Sequence, residues 1–386
     1  MNSNMMKLGG FIRQTDVRNT DNTLGENDLF GLSVSKEFIA THANLVGVSF
    51  ESYKVVKDGQ FAYIPDTSRR GDKIAIARNT MGKSIIVSSI QCVFEIVDDS
   101  KLDPGYLMLW FMRSEFDRYA RYMSNGSARE VFDWDCMCNV DIPVPPIEEQ
   151  RKIVRQYKVV TERIDILKEI NTKLEQIALS MFNNEFGSID VHDSNTIVPN
   201  FCSIVKADTH FNITIGKTPP RENGECFTFN DADITWVSIA DMKNANPYIL
   251  HSSENLSKEA VTDYNVKLVP ANSILLSFKL TVGRVAIADK VLTTNEAIAH
   301  FPCTKEELPF MYCMFKLYRF EKLGSTSSIS TAINSNIIKG MPILIPNEDV
   351  MNRFNKKTAP LFNSMKYNST EIAALKKMRL SFIKKM

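Results

Sequence analysis

From Ile153 the apolar positions keep a fixed rhythm: Ile153, Tyr157, Val160, Ile164, Leu167, Asn171, Leu174, Ala178, Met181. The steps alternate four and three, which is the seam of a coiled-coil helix. Charged residues of both signs fill the gaps, and no Gly or Pro interrupts the run. Pro145 and Pro146 stand before it and Gly187 after it, as start and stop signals should. The pattern predicts a helix from Glu148 to Phe186, roughly 55 Å long. Moving 201 residues along the chain lands Pro145 on Pro346, Ile153 on Phe354, Val160 on Leu361 and Leu174 on Leu375. A second, poorer seam follows: Phe354, Thr358, Leu361, Met365, Asn368, Ile372, Leu375, Arg379, Phe382. Each seam carries one Asn, Asn171 or Asn368, of the kind that fixes register. Gly82 lands on Gly283 at the same offset, and Gly126-Ser127 and Gly324-Ser325 precede the two Pro-containing stretches. This predicts two copies of a globular unit, each followed by a long helix; the period is too long for a solenoid.

The globular halves read as mixed helix and strand. Short β-branched runs predict strands at Lys73 to Ala77, Ile85 to Ser88, Ile274 to Ser277 and Val285 to Ala288. Helices are expected from Pro104 to Met123 and from Pro309 to Leu323. Gly187 to Asn200 is polar and unpatterned, and reads as the linker into the second half.

Composition narrows the class. With 386 residues the chain suits two or three domains, and 44% hydrophobic with 24% charged residues is ordinary for a globular protein. That excludes a disordered or collagen-like chain. No apolar run is long enough for a membrane span and no signal peptide is evident, which with seven scattered Cys points to a cytoplasm. Lys and Arg number 46 against 45 Asp and Glu, so bulk charge announces no nucleic acid. The basic excess is local, nine against three in residues 346–386.

Catalytic motifs are incomplete. Gly82-Lys83-Ser84 and Gly216-Lys217-Thr218 each resemble part of a phosphate-binding loop. The Gly required five residues earlier is Ala77 or Phe211, so a turn between strands fits better. Asn246-Pro247-Tyr248 is one proline short of the NPPY tetrapeptide of amino-methyltransferases, and no Gly-rich cofactor turn occurs. His42, His192, His210, His251 and His300 show no metal-ligand spacing. Basic groups in turns are more informative. Arg69, Arg70, Lys73, Arg78, Asn79 and Lys83 cluster around an expected hairpin of the first half, and Lys217, Arg221, Lys279 and Arg284 lie in the second. Arg reads guanine edges, Asn reads adenine and Lys holds phosphates. A basic loop is also what a solvated surface looks like; the duplication favours DNA, because the turns at Gly82 and Gly283 are both basic. Ser127-Ala128-Arg129-Glu130 fits a capping box as well as a phosphate contact.

Taken in order, these strings resemble a known family. IPVPPIEEQRKIV running into a heptad helix is similar to the central conserved region of Type I restriction-modification specificity subunits. In the second half IGKTPP, ITWVSIADM, LVPANSILLS, VGRVAIA, TTNEAIAHF and LGSTSSI follow in the order of a target recognition domain of that family. KEFIATHANL, YKVVKDGQFAYIPDTSRRGDKIAIA and SEFDRYARYMSNGSAREVFDW resemble a divergent one. The first half lacks the G-x-T-P turn, and IPNEDVMNRF stands where the first half has PPIEEQRKIV.

The resemblance implies an α+β fold: two tandem α/β target recognition domains, each followed by a long helix, the two helices pairing as an antiparallel coiled coil. It implies recognition domains at 1–145 and, with the linker, 188–345, and helices at 146–187 and 346–386. The function it implies is non-catalytic: reading a bipartite double-stranded DNA target and docking methyltransferase (M) and restriction/translocase (R) subunits, which would hold S-adenosylmethionine, ATP and Mg. Arg129 and Ser325 join the basic residues above as expected DNA contacts. Pro145, Pro146, Glu148, Glu149, Gln150, Lys376 and Lys377 are the expected partner contacts, with Glu148 to Gln150 on an exposed face. Two other readings remain open at this point, a coiled-coil scaffold without DNA readout and a methyltransferase carrying its own recognition domain.

Overall fold

The structure is a computed structural model, and it describes residues 5–41, 47–67, 73–124, 130–187, 189–193, 195–222, 225–243, 245, 247–323, 333–384 and 386. The chain divides into two compact units, Met1–Glu162 with Lys377–Met386, and Arg163–Lys376.

The first unit is closed by pairing its opening strand, Met5–Lys7, antiparallel with Asp141–Pro143, just before the long helix begins. Its main sheet is antiparallel, in the order Ile12–Thr15, Cys92–Ile96, Phe61–Tyr63, Ile76–Arg78. Two strand pairs flank it, Phe30–Leu32 with Phe38–Ala40 and Lys54–Val56 with Ile85–Val87. Phe61, Tyr63, Phe94, Phe111, Phe116 and Phe132 fill the core, with Phe61 stacked on Phe94 at 5.0 Å and the other rings meeting edge-on or tilted. The helix expected from Pro104 to Met123 is two, Pro104–Phe111 and Ser114–Met123, because Arg113 between them is extended. Asp103 caps the first, its side chain accepting from the Tyr106 amide at 3.0 Å, with Pro104 at the first helical position.

The second unit is closed the same way, Cys202–Lys206 pairing with Pro342–Pro346. Its five-stranded sheet runs Thr214–Ile215, Ile298–Pro302, Ser273–Ser277, Val285–Ala288, Tyr248–Ile249. A four-stranded sheet adds Phe227–Thr228, Glu254–Leu256, Ile234–Val237 and Thr293–Thr294. The helix expected to reach Leu323 spans Leu308–Leu317 and is followed by a short 3-10 turn, Phe320–Lys322. The polar segment after Gly187 is not a free linker. Gly187 ends the helix at φ +71°, Asp190 pairs with Lys322 and Arg319, and Ile189, Val191 and Val198 pack on this unit's core.

The offset of 201 residues holds where each copy ends. Helix Trp134–Cys138 matches Ser335–Lys339, and Ile147–Phe186 matches Glu348–Lys384. Inside the copies it fails, and this corrects the expected match of Gly82 with Gly283. Gly283 (φ +88°) lies in the hairpin joining neighbours Ser273–Ser277 and Val285–Ala288. Gly82 (φ +69°) lies between Ile76–Arg78 and Ile85–Val87, which belong to different sheets. Strand order matches the Gly283 hairpin instead with the one joining Phe61–Tyr63 to Ile76–Arg78. Insertions between the copies cancel in number at Gly82 but not in topology.

Every position of both seams from Ile153 to Phe382 is buried or half-buried. Within the second unit, Asn368 Nδ2 donates to Asn171 Oδ1 at 2.8 Å, and Asn171 Nδ2 donates to the Met365 carbonyl at 3.2 Å. Arg163 pairs with Glu371, and Arg353 and Lys357 with Glu185, so the two helix segments run antiparallel. Within the first unit, Arg379 lies over Tyr157 at 5.8 Å in the same sense. The seams end in an aromatic cluster, where Phe354 of the second seam meets Phe182, Phe186 and Phe310, which the heptad pattern does not contain. Glu348–Lys384 continues through Pro360, which supplies no amide to the preceding turn.

Candidate nucleic-acid interface

In the second unit, four of the sequence motifs meet. Gly216 donates its amide to the Ile298 carbonyl at 3.1 Å and Lys217 its amide to Thr294 at 2.9 Å, so IGKTPP is laid along TTNEAIAH. A Cβ on Gly216 would fall on the Asn295 carbonyl and Thr294 Oγ1. The glycine is there for close approach of two chain segments, which supports the turn reading over a phosphate loop. Thr218 donates to Glu296, which holds that carboxyl below its usual range, with the charge of Lys279 adding to the effect. Trp236, from ITWVSIADM, donates its indole N–H to the Lys217 carbonyl at 3.4 Å.

Arg221 is held twice. It makes a fork to Glu254 (3.0 and 2.9 Å) and lies over the rings of Phe227 and Trp236, at 4.3 and 5.4 Å. The fork depresses the Glu254 carboxyl, and the rings add cation–π attraction. Lys217 Nζ donates to the Tyr264 carbonyl at 2.6 Å. Arg284 donates to the Ile239 carbonyl at 2.7 Å, bridging VGRVAIA to ITWVSIADM. Lys279 is exposed on the hairpin between Ser277 and Val285. Lys217, Arg221, Lys279 and Arg284 thus share one connected network of segments, with aromatic rings beneath one member. Phe227 and Trp236 were not singled out in the sequence; the Trp within a string already read as a motif was their only signal.

Beneath this network lies His300. Thr294 Oγ1 donates to the Asn295 carbonyl, so it accepts from His300 Nε2 (2.7 Å), and Nδ1 accepts from Thr214 (2.8 Å). Burial lowers the imidazole pKa to about 4, and it stays neutral near pH 7.

The first unit uses its basic residues differently. Asn79 is fully buried. Its Nδ2 donates to the carbonyls of Val56 (2.9 Å) and Lys83 (2.8 Å), and its Oδ1 accepts from the Met81 amide, so its amide is spent on the turn. Lys83 pairs with Asp28 at 2.7 Å, and the bond holds that carboxyl low. The Gly82 amide donates to Asp58, which leaves no phosphate cradle there. Arg78 is half-buried with Nε unpartnered, and lines a groove of about 430 Å³ with Met81, Met108, Met112 and Tyr157. Lys73 is exposed. Its charge bears on Lys36, a residue the sequence did not flag, whose ammonium is buried against Asp117 and the Ile74 carbonyl (2.9 Å). Arg69, Arg70, Arg129 and Ser325 lie outside the described residues, as do the Gly126-Ser127 and Gly324-Ser325 turns, His42 and Asn246.

Of the expected partner contacts, Glu148, Glu149, Lys376 and Lys377 are exposed, Pro146 is exposed and Pro145 half-buried. Gln150 is not on that face. It is fully buried, accepting from the Asp103 amide at 2.8 Å and donating to the carbonyls of Lys101 (2.9 Å) and Pro145 (2.8 Å). It ties the start of the helix to the domain. Among the described residues no three His, Cys, Asp or Glu are grouped to hold a metal, and no helix is long and apolar enough to cross a membrane.

The family model described as the Type I restriction modification DNA specificity domain matches residues 67–176 and 211–373. The chain is similar to the Type I restriction enzyme MjaIX specificity subunit of Methanocaldococcus jannaschii, 24% identical over 328 residues, covering 81% of this chain and 73% of that one. It is also similar to the HindI specificity subunit of Haemophilus influenzae, 22% identical over 408 residues, covering 87% of each. Among solved structures it shares its fold with a Type-I restriction-modification system S subunit from M. genitalium, at 14% identity and TM-score 0.53, covering 100% of this chain and 96% of that one.

Proposed function

The chain belongs to the Type I restriction-modification DNA specificity family, and from that premise we propose that its two globular units each read one half of a bipartite double-stranded DNA target. It is a specificity subunit and not itself an enzyme, so the scaffold and methyltransferase readings fall away. Residues 1–145 and 188–345 are the two recognition domains in this proposal, and the helices at 146–187 and 346–386 set the gap between half-sites. Methyltransferase subunits dock on the helices around Pro145, Pro146, Glu148, Glu149, Lys376 and Lys377, and restriction subunits join them. S-adenosylmethionine, ATP and Mg belong to those partners. The complex works in the cytoplasm, where its DNA is.

The observation that carries DNA reading is the network of Lys217, Arg221, Lys279 and Arg284. Lysines on exposed turns suit phosphates, and an arginine already oriented by a carboxylate and two rings loses little freedom on binding. In the first unit the same role falls to Arg69, Arg70, Lys73, Arg78 and Arg129, while Asn79 and Lys83 shape the turn. Ser325 is a further DNA contact of the second in this proposal.

The test is a binding titration of the full chain, assembled with methyltransferase subunits, on duplex DNA across a range of salt. Changing Lys217 and Lys279 to Gln should weaken binding to all sequences alike. The salt slope should fall by about one unit for each phosphate no longer neutralised. Binding and slope left unchanged would overturn the reading.

A further inference from the structure

Leu280 sits at the tip of the hairpin between Ser273–Ser277 and Val285–Ala288, with 98% of its surface exposed. Its φ is +61°, in the left-handed region that a branched L-residue adopts only at a steric cost. The hairpin imposes this conformation. Ser277 Oγ donates to the Thr281 carbonyl at 2.5 Å and accepts from the Arg284 amide at 3.0 Å, and the Gly283 amide donates to the Ser277 carbonyl at 2.9 Å. The loop is thus tied at its neck and projects an aliphatic side chain into water. Lys279 precedes it and Arg284 follows it.

We infer that Leu280 is a specificity-determining residue that packs on the 5-methyl group of a thymine in the half-site read by the second unit. This rests on the DNA-reading role proposed above. A two-stranded ribbon fits the major groove of B-DNA, and the thymine methyl is the apolar feature the base edges offer there. Lys279, exposed beside the tip, is placed to bind a neighbouring phosphate, which would press the ribbon into the groove, while Arg284 anchors the neck through the Ile239 carbonyl. The other way a leucine meets DNA, as a wedge between base pairs, belongs to proteins that enter the minor groove.

The test uses the full chain assembled with methyltransferase subunits and a duplex carrying its mapped target. Each thymine of the half-site is replaced singly by deoxyuridine, which removes only the methyl. The unaltered protein should lose about fourfold in affinity at one position, the worth of one buried methyl-sized group. L280A should bind the natural duplex about fourfold more weakly and show no further loss at that uracil. I197A, which removes an equally exposed aliphatic (92%) from the segment after the first long helix, should change neither. An L280A protein that keeps every thymine preference would overturn the inference, as would a half-site without thymine. A duplex with 2-aminopurine beside the site that brightens on binding, with no uracil effect, would replace it with the wedge. A complex with no sequence preference at all would overturn the proposed function itself.

Discussion

The tripeptides Gly82-Lys83-Ser84 and Gly216-Lys217-Thr218 look alike in sequence and do opposite things. In the first unit the glycine faces open space, its amide is taken by Asp58, and the lysine is paired with Asp28. In the second the glycine is pressed against Thr294 and Asn295, and the lysine belongs to a network built from the chain's ordered motifs, with Arg221, Trp236 and Arg284. The same contrast runs through the two units. Their ends are built alike, a terminal strand pairing with the strand before a long helix. Their interiors are not: Gly82 and Gly283 occupy different places in the strand order. A duplicated protein can hold its frame constant where the halves must serve the same assembly and let the surfaces diverge where each must read something different.

The largest expected effect sharpens the glycine contrast. Gly216→Ala places a methyl on backbone atoms that cannot yield, and should destabilise the second unit by about 3 kcal/mol or more. Gly82→Ala meets no neighbour and bears only its left-handed φ, so the loss should be about 1 kcal/mol. Chemical denaturation of both variants checks this; equal losses would break the contrast.

Next is pH. His300 has no counterpart among the first unit's described residues at a buried sheet position. Its folded pKa, about 4, lies below the ordinary value near 6.5, so the unfolded chain binds the extra proton between them. Stability from this group is complete above about pH 6.5 and is lost as pH falls toward 4, by up to about 3 kcal/mol. The second unit should therefore weaken with acid over that window, and His300→Gln, though less stable at pH 7, should show a flatter profile. Unfolding measured from pH 7 to 4 would show whether the slope survives the substitution.

The shared frame gives a smaller effect. Asn171→Leu strands Asn368 in the seam, at a cost of about 1–3 kcal/mol. Asn171→Leu with Asn368→Leu should recover much of that loss, because no amide is then left facing hydrocarbon. A double-mutant cycle with no coupling would mean that the pair does not act as a unit. Smallest is Lys83→Ala, which removes an exposed pair with Asp28 and should cost under about 1 kcal/mol while leaving DNA reading intact.

The frame was legible because it is periodic. Steps of four and three place Val160, Ile164 and Leu167 in the seam, and one polar position in each apolar row marks Asn171 and Asn368 as register-fixing residues, which in the structure bond each other. The family was legible from the order of its strings. What failed was correspondence inside the duplicated units, because numbering cannot show where insertions fall relative to strand order. Asn79 and Gln150 were misjudged for a related reason. A polar residue in a turn or at a helix start reads as surface, and only the fold shows that Lys101, Asp103 and Pro145 converge on Gln150 and Val56 and Lys83 on Asn79. Arg221 was found by charge, but its platform of Phe227 and Trp236 depends on strands that meet only in the folded sheet.

The central claim is that the two units read separate halves of one target. The direct measurement is genome-wide mapping of methylated adenines made by the assembled complex, with substitutions confined to one unit at a time. Replacing Arg221 should relax one half of the motif and leave the other as it was, and replacing Arg69, Arg70 and Arg78 should do the reverse. A substitution in one unit that altered both halves together would contradict the account.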